Sequence, residues 1–391
     1  MEQQRIFMDH AAGCAVDQTV LDAMLPYFGA AYGNPSSQYA EGVRARRALE
    51  EARRRVAAAL GAHPDEIYFT SGGSESDNWA LRCGLGKGGL LTSRIEHPAV
   101  INTAQQLMQA GRAVEFLPVL SDGTVDLAAM EARLSRGGYS LLALMHANHE
   151  TGVVQPIKEA AALAHRAGAR VLCDAVQSVV ALPIDVHAMG VDFLSISGHK
   201  LGTPRGIGAL YVRRGCELPP MISGGGQEMG RRAGTESVAA AVGLATALEL
   251  AAERRELQRT HVLALSQKLL RGLLAIPGVS VNGWADVARQ LPGTVNVCVD
   301  CVSGGALTLW LDRHGVCVSP GSACSSAGNH PSQVLLAMGR DENSAMSAVR
   351  YSLGVENTEN EVEAVLRVSR EGIEKMRSLD VIGASRYPKM D

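Results

Sequence analysis

Residues 191–212, VDFLSISGHKLGTPRGIGALYV, read as an apolar strand, a glycine-rich turn and a second apolar strand. The first strand delivers Ser197, His199 and Lys200 to that turn. An amine attacks a carbonyl only when burial or cationic neighbours weaken its hold on the proton, and the end of a core strand offers both. Lys200 therefore reads as a lysine that condenses with an aldehyde, flanked by Ser197 and His199 as donors to a phosphate. The alternative is a surface lysine in a turn.

Outward from this stretch the same alternation repeats. Strand-like runs cover 66–71, 89–95, 113–119, 139–148, 169–175, 192–197 and 208–213, and helical runs at 75–85, 98–111, 126–136 and 156–168 lie between them. Two of these helices open on Pro98 and Pro156, residues suited to a first helical turn. The pattern predicts an α/β layer architecture, a mainly parallel seven-stranded sheet with helices on both faces. A helical pattern then runs with few interruptions over 237–276, and strands such as 293–301 mix with helices at 332–339 and 359–376 in a smaller α+β unit. The expected division is a large domain over 15–258 and a small one built from 1–14 and 259–391.

At 391 residues the chain exceeds one ordinary core, which fits two domains. Hydrophobic residues make up 46% and charged residues 20%, and no run of eighteen apolar residues occurs, so no membrane span is expected. MEQQRIFMDH has neither a basic start nor an apolar segment of a secretory leader, and the expected location is cytoplasmic. A net charge of -3 provides no basic field for nucleic acid. Cysteines at 14, 83, 173, 216, 298, 301, 317 and 324 are too scattered for a disulfide framework and read mostly as free thiols. Cys298 and Cys301 form one CxxC inside an apolar run with no second ligand pair nearby, so core packing is favoured over zinc and no resident metal is expected.

Pyridoxal phosphate needs from a protein a lysine for its aldehyde, donors for its phosphate, a carboxylate for its ring nitrogen and a flat group against its ring. The turn TSGGSESDN (70–78) breaks a strand at Gly72 and Gly73 and starts a helix near Ser74, where backbone N–H groups and the helix terminus can meet an anion. Asp174 ends the run 169–175; a carboxylate at a buried strand end needs a cation, and a pyridinium would serve, although a plain helix cap fits the local sequence too. Gln177, one turn on, can reach the ring hydroxyl. His97 closes the run 89–95 with a flat ring and a mid-range pKa suited to stacking and proton transfer. All of these follow predicted parallel strands, where α/β folds collect their ligands.

A second nucleophile lies in GVCVSPGSACSSAGNHPS (315–332). Cys324 sits among Gly, Ser and Ala that cannot pack a core, so a mobile loop with a reachable thiol is expected, whereas Cys317 between Val316 and Val318 reads as strand filling. Arg350 in SAVRYSLG is suited to grip a substrate carboxylate through two parallel hydrogen bonds.

With these residues in place, the chain resembles the cysteine desulfurases of the NifS/IscS type, in the class V aminotransferase group of fold-type I pyridoxal phosphate enzymes. GNPSS (33–37), TSGGSESDN, TSRIEH, ETGVVQPI, DAVQS, SGHK, GGGQE with RRAGTES, GSACSS and VRYSLG occur in the family's order nearly end to end. The resemblance implies Lys200 as the cofactor-bearing lysine, Cys324 as the persulfide cysteine and His97 as the ring-stacking histidine. It implies phosphate contacts from Gly73, Ser74, Ser197 and His199, with Thr235 supplied by the partner subunit of a homodimer. It further implies ring contacts from Asp174 and Gln177 and substrate-carboxylate contacts from Asn34 and Arg350. His149 stands where the family carries an asparagine beside the ring oxygen, Tyr39 replaces a common histidine, Gly13 and Cys14 replace a threonine pair, and Met229 replaces a basic residue.

The implied reaction is conversion of L-cysteine to L-alanine with transfer of sulfur to Cys324. From there it passes to a sulfur-acceptor protein such as an iron–sulfur scaffold, with transient cluster contact at Cys324. A selenocysteine lyase, an aminotransferase or a non-catalytic partner-binding scaffold on the same fold are the rival expectations, because fold alone does not fix the reaction.

Overall fold

The computed structural model describes residues 5–284, 286, 289–321 and 330–379. Its largest sheet has seven strands in the order Ile67–Thr70, Gly208–Val212, Phe193–Ser197, Arg170–Asp174, Tyr139–Met145, Gly89–Ser93 and Val114–Leu117. The five strands from Phe193–Ser197 onward pair in parallel, and Gly208–Val212 runs antiparallel to both of its neighbours. The predicted mainly parallel sheet is therefore present.

Both faces of this sheet are buried, which is why its strands read as unbroken apolar runs. Leu142, Leu144, Val171, Cys173, Leu194 and Ile196 face one core, and Leu141, Ala143, Leu172, Phe193 and Leu210 face the other. The alternation is the period-two geometry of a strand dividing its side chains between two helical layers. In register, Met145 lies beside Asp174 and Asp174 beside Ser195, so polar residues gather at one edge of the sheet.

A four-stranded antiparallel sheet follows, ordered Ser319–Pro320, Ala348–Ser352, Thr294–Val299 and Val279–Val281. Its core joins Met8 to Val262, Leu269, Val297, Tyr351 and Val365, and the strand Ile6–Phe7 pairs in parallel with Val316–Cys317. The N-terminal segment is thus built into the later part of the chain.

The helical pattern over 237–276 is not one rod. Val238–Glu253 ends at Arg254 (φ -82°, ψ -2°), a wide turn spans Gln258–Val262, and Leu263–Leu274 resumes the helix. Leu244 and Leu248 face the first core whereas Val262, Leu269 and Leu273 face the second. Two apolar stripes that serve different cores need not be collinear, and the break at Arg254, whose guanidinium holds Asp17 at 2.7 Å, reorients the second.

Gly208 shows how tightly the sheet edge is closed. A Cβ there would lie 2.5 Å from the Ile196 carbonyl oxygen and 2.6 Å from Gly72 Cα. Gly208→Ala is expected to destabilise the protein by about 1–3 kcal/mol through overpacking, read as a lowered midpoint in denaturant unfolding.

Candidate functional site

The helix Gly73–Gly84 starts at the sheet's polar edge, directly after the strand Ile67–Thr70. Gly72 precedes it at φ +153°, a conformation side-chain-bearing residues rarely adopt, and a Cβ on Gly73 would press to 2.6 Å from Val176 Cγ2. Ser197 closes the cup, its Oγ 3.3 Å from where a Gly72 Cβ would sit. That hydroxyl also lies 2.8 Å from His199 Nδ1. Burial, with the charges of Lys200, Arg205 and His97, pushes His199 down to about 4, so its ring is neutral at pH 7. Ser74 is exposed in the first turn. A bare helix terminus, two glycines and a hydroxyl–imidazole pair suit a phosphate group.

Lys200, Asp174 and His97 come together beside this cup. Lys200 Nζ donates to the Ala11 carbonyl at 2.5 Å, and Gln177 Nε2 reaches the same oxygen at 3.1 Å. Burial pushes Asp174 above the ordinary carboxylate range, while the charges of His97 and Lys200 and a 2.9 Å hydrogen bond from the Val176 N–H pull it back. No helix follows Asp174, so the alternative reading as a helix cap falls away. His97 caps the helix Pro98–Gln109, its Nδ1 accepting from the Ala99 N–H at 3.1 Å. A neutral His97 therefore carries its proton on Nε2. Burial lowers its pKa, with Asp174 opposing and Lys200 reinforcing the shift.

His149 is the hub between this group and Arg350. Its ring meets His97 edge to face at 5.4 Å. It is buried, its Nδ1 has no partner among the described residues, and its pKa is held well below the usual histidine range by burial and by the charges of His97, Arg350 and Lys200. Arg350, only 2% exposed, donates from Nη1 to the His149 carbonyl at 2.7 Å and from Nη2 to Asp9 Oδ1 at 2.8 Å. Among the described residues the Nε–H is buried without an acceptor, and each terminal nitrogen carries a second hydrogen.

The other predicted residues stand apart. Asn34 is exposed, its Oδ1 accepting from the Ser36 N–H at 2.9 Å. Thr235 is exposed on a segment anchored from below: buried Glu228 takes two hydrogen bonds from Arg53, at 2.7 and 2.9 Å, and one from the Phe69 N–H at 2.8 Å. Cys324 lies outside the described residues. The seven described cysteines are all free, with Cys298 buried in its strand.

Several buried acids at the site lie within the quoted motifs, but the sequence assigns them no role. Asp77 accepts from Ser195 Oγ at 2.6 Å, and burial together with the Asp174 charge raises its pKa well above normal. Two neighbouring buried carboxyls resist ionising together, and the cations near Asp174 make it the one that carries the charge. Glu96 and Glu150 line a cavity of about 670 Å³ with His149, His330 and Pro331. Glu150 accepts from Ser332, and burial lifts it to about 7.

Glu96 accepts from Ser93, has no partner for Oε2 among the described residues and is lifted by burial to about 8. Its folded pKa exceeds the unfolded value, so the folded state holds the extra proton between roughly pH 4.5 and 8. The stability contributed by that proton is complete below this window and falls through it, by up to about 1.4 kcal/mol per pH unit. Glu96→Gln is expected to flatten this fall when unfolding is followed from pH 5 to 8.

These residues fit pyridoxal phosphate. His149 Nδ1 and Arg350 Nε are buried without partners among the described residues, and burial leaves Asp174 favouring a further cation beside Lys200. The comparisons with known proteins agree. The family model described as aminotransferase class-V matches residues 6–365. A protein of Nostoc sp. named cysteine desulfurase is 42% identical over 379 residues, which cover 96% of this chain and 94% of the relative. A solved NifS-like protein superposes with a TM-score of 0.89 at 35% identity, covering 95% of this chain and 100% of that one. SspA in complex with cysteine does so with a TM-score of 0.78 at 35% identity, over 90% of this chain and 100% of the other. On this agreement of site, sequence and fold, the chain belongs to the aminotransferase class-V family, among its cysteine desulfurases.

Proposed function

We propose that the protein is a cysteine desulfurase that converts L-cysteine to L-alanine, holds the released sulfur as a persulfide on Cys324 and passes it to an acceptor protein. The observation that carries this reading is the convergence of Lys200, His97 and Asp174 beside a glycine cup, next to a buried arginine whose Nε–H has no acceptor among the described residues. Pyridoxal phosphate, the cofactor of this family, would supply an aldehyde for Lys200 and an electron sink for the substrate's Cα.

Gly73, Ser74, Ser197 and His199 would hold the phosphate, Asp174 the ring nitrogen and Gln177 the ring hydroxyl, with His97 flat against the ring. Arg350 would take the substrate carboxylate on its free edge, joined by Asn34, while Asp9 and the His149 carbonyl fix the guanidinium plane. The Lys200 amine removes the Cα proton. His97 offers Nε2 for proton exchange, because Nδ1 is committed to the helix cap. The Cys324 thiolate attacks the substrate sulfur: an S–S bond forms as Cβ–S breaks, and the electron pair left on carbon takes up a proton.

The test is incubation with cysteine followed by mass spectrometry of the Cys324 peptide and assay of alanine. One added sulfur on Cys324 and stoichiometric alanine support the proposal; alanine without sulfur on Cys324 overturns it.

The proposal includes a homodimer and a two-domain division at 15–258 against 1–14 with 259–391. Exposed Leu25, Phe28, Tyr32 and Tyr39 form an apolar stretch of the kind an interface covers, and exposed Thr235 is free to serve a neighbouring copy. The separate core containing Met8 and residues from Val262 onward supports the division. Supply of sulfur to iron–sulfur cluster assembly in the cytoplasm completes the proposal; no helix among the described residues is long and apolar enough to cross a membrane.

A further inference from the structure

We propose that His63, Glu66 and His187 form a binding site for one divalent transition cation, at the edge of the large sheet opposite the catalytic residues. One ligand atom from each of the three lies within 4.8 Å of the others. The imidazole rings of His63 and His187 meet at 6.0 Å with their planes 64° apart. Two imidazoles and a carboxylate suit Zn²⁺ or Ni²⁺, and a tetrahedral set at ordinary Zn–N lengths has ligand atoms about 3.4 Å apart. Both histidines are exposed, so small rotations of their side chains close that gap.

Glu66 is what makes this more than a pair of surface histidines. It is 1% exposed, and each oxygen is fixed by a backbone donor: Oε2 by the His63 N–H at 2.9 Å and Oε1 by the Arg214 N–H at 2.9 Å. A carboxylate oxygen has two acceptor positions, so each keeps one for a metal while its orientation is already set. The Arg214 guanidinium is turned to Asp65 at 2.6 and 2.8 Å and makes no hydrogen bond to Glu66. The two segments also pack together, since a Cβ on Gly61 would lie 3.2 Å from the Asp185 carboxyl.

The placement assigns the site a clamping role. Glu66 immediately precedes the strand Ile67–Thr70, and His187 lies in the short helix Val186–Met189 that leads to the strand Phe193–Ser197. The far ends of these two strands carry the glycine cup and Ser197. A cation at 63, 66 and 187 ties their near ends together without touching the reacting groups, and stabilises the fold by binding only the native state.

The test is calorimetric titration of the cofactor-loaded enzyme with Ni²⁺ under reducing conditions, paired with thermal unfolding. The wild type is expected to bind one equivalent more than His63→Ala/His187→Ala, with a rise in unfolding temperature that saturates at that equivalent. Each single variant is expected to weaken that binding at least about tenfold and to leave desulfurase turnover unchanged. Glu66→Gln is a poorer probe, because it sets an amide NH₂ against one of the two backbone donors. Equal stoichiometry and affinity in wild type and double variant, or no binding by the wild type below millimolar Ni²⁺, would overturn the proposal.

Discussion

Lys200→Ala is expected to abolish alanine formation from cysteine, with a loss of at least about 10²–10⁴-fold from the missing proton acceptor alone. The Lys200 charge bears on His97, Asp174 and His149 alike, which sets the amine among groups that have other tasks. Neutral His97 can give a proton from Nε2 but has no nitrogen left to accept one while Nδ1 caps a helix, and Asp174 is needed as a charged partner for the ring nitrogen. Two measurements separate a chemical loss from a folding loss. Borohydride reduction followed by denaturation should leave the cofactor attached to the wild-type chain and not to the variant, while the thermal midpoints stay close. Alanine release at the wild-type rate from Lys200→Ala would remove the lysine from the mechanism.

The second large effect belongs to Cys324→Ala. Sulfide release from cysteine under reducing conditions should fall to background, because Cys324 is the thiol assigned to form the S–S bond and the burial-shifted thiols elsewhere cannot replace it. Cys14, Cys83, Cys173, Cys216 and Cys298 all have pKa values raised by burial, which leaves them poor nucleophiles. Binding should survive, since Arg350 and the phosphate cup do not depend on the thiol, and addition of cysteine should still change the visible absorption of the cofactor. Undiminished sulfide release by the variant would show that sulfur leaves by another route.

The site was legible where a polar residue ended an apolar strand. Lys200, Asp174, Ser197 and His97 interrupt or follow runs that otherwise hold only core residues, and polar groups are tolerated in such places when a ligand or partner answers them. Arg350 was legible for the same reason. Its partner Asp9 was not, because the two meet only when the N-terminal segment joins the later sheet. Asp77 and Glu96 were also missed: in a helical run or a turn, a carboxylate looks like part of a solvated face, and only packing reveals its burial. The break at Arg254 was hidden because both halves of 237–276 have helical spacing, and spacing does not record which core each half serves.

By itself the sequence determined the layered α/β architecture, the order of its strands along the chain and the chemistry-bearing residues at their ends. Those follow from local periodicity and from the rarity of polar groups inside apolar strands. The tertiary structure alone decided the sheet order, the charge state that neighbours impose on Asp174 and His149, the fixing of Arg350 by Asp9, and the meeting of His63 and Glu66 with His187. Each depends on groups far apart in the chain. Burial and Coulomb forces act on distance in space, and periodicity along a strand or helix carries no record of that distance.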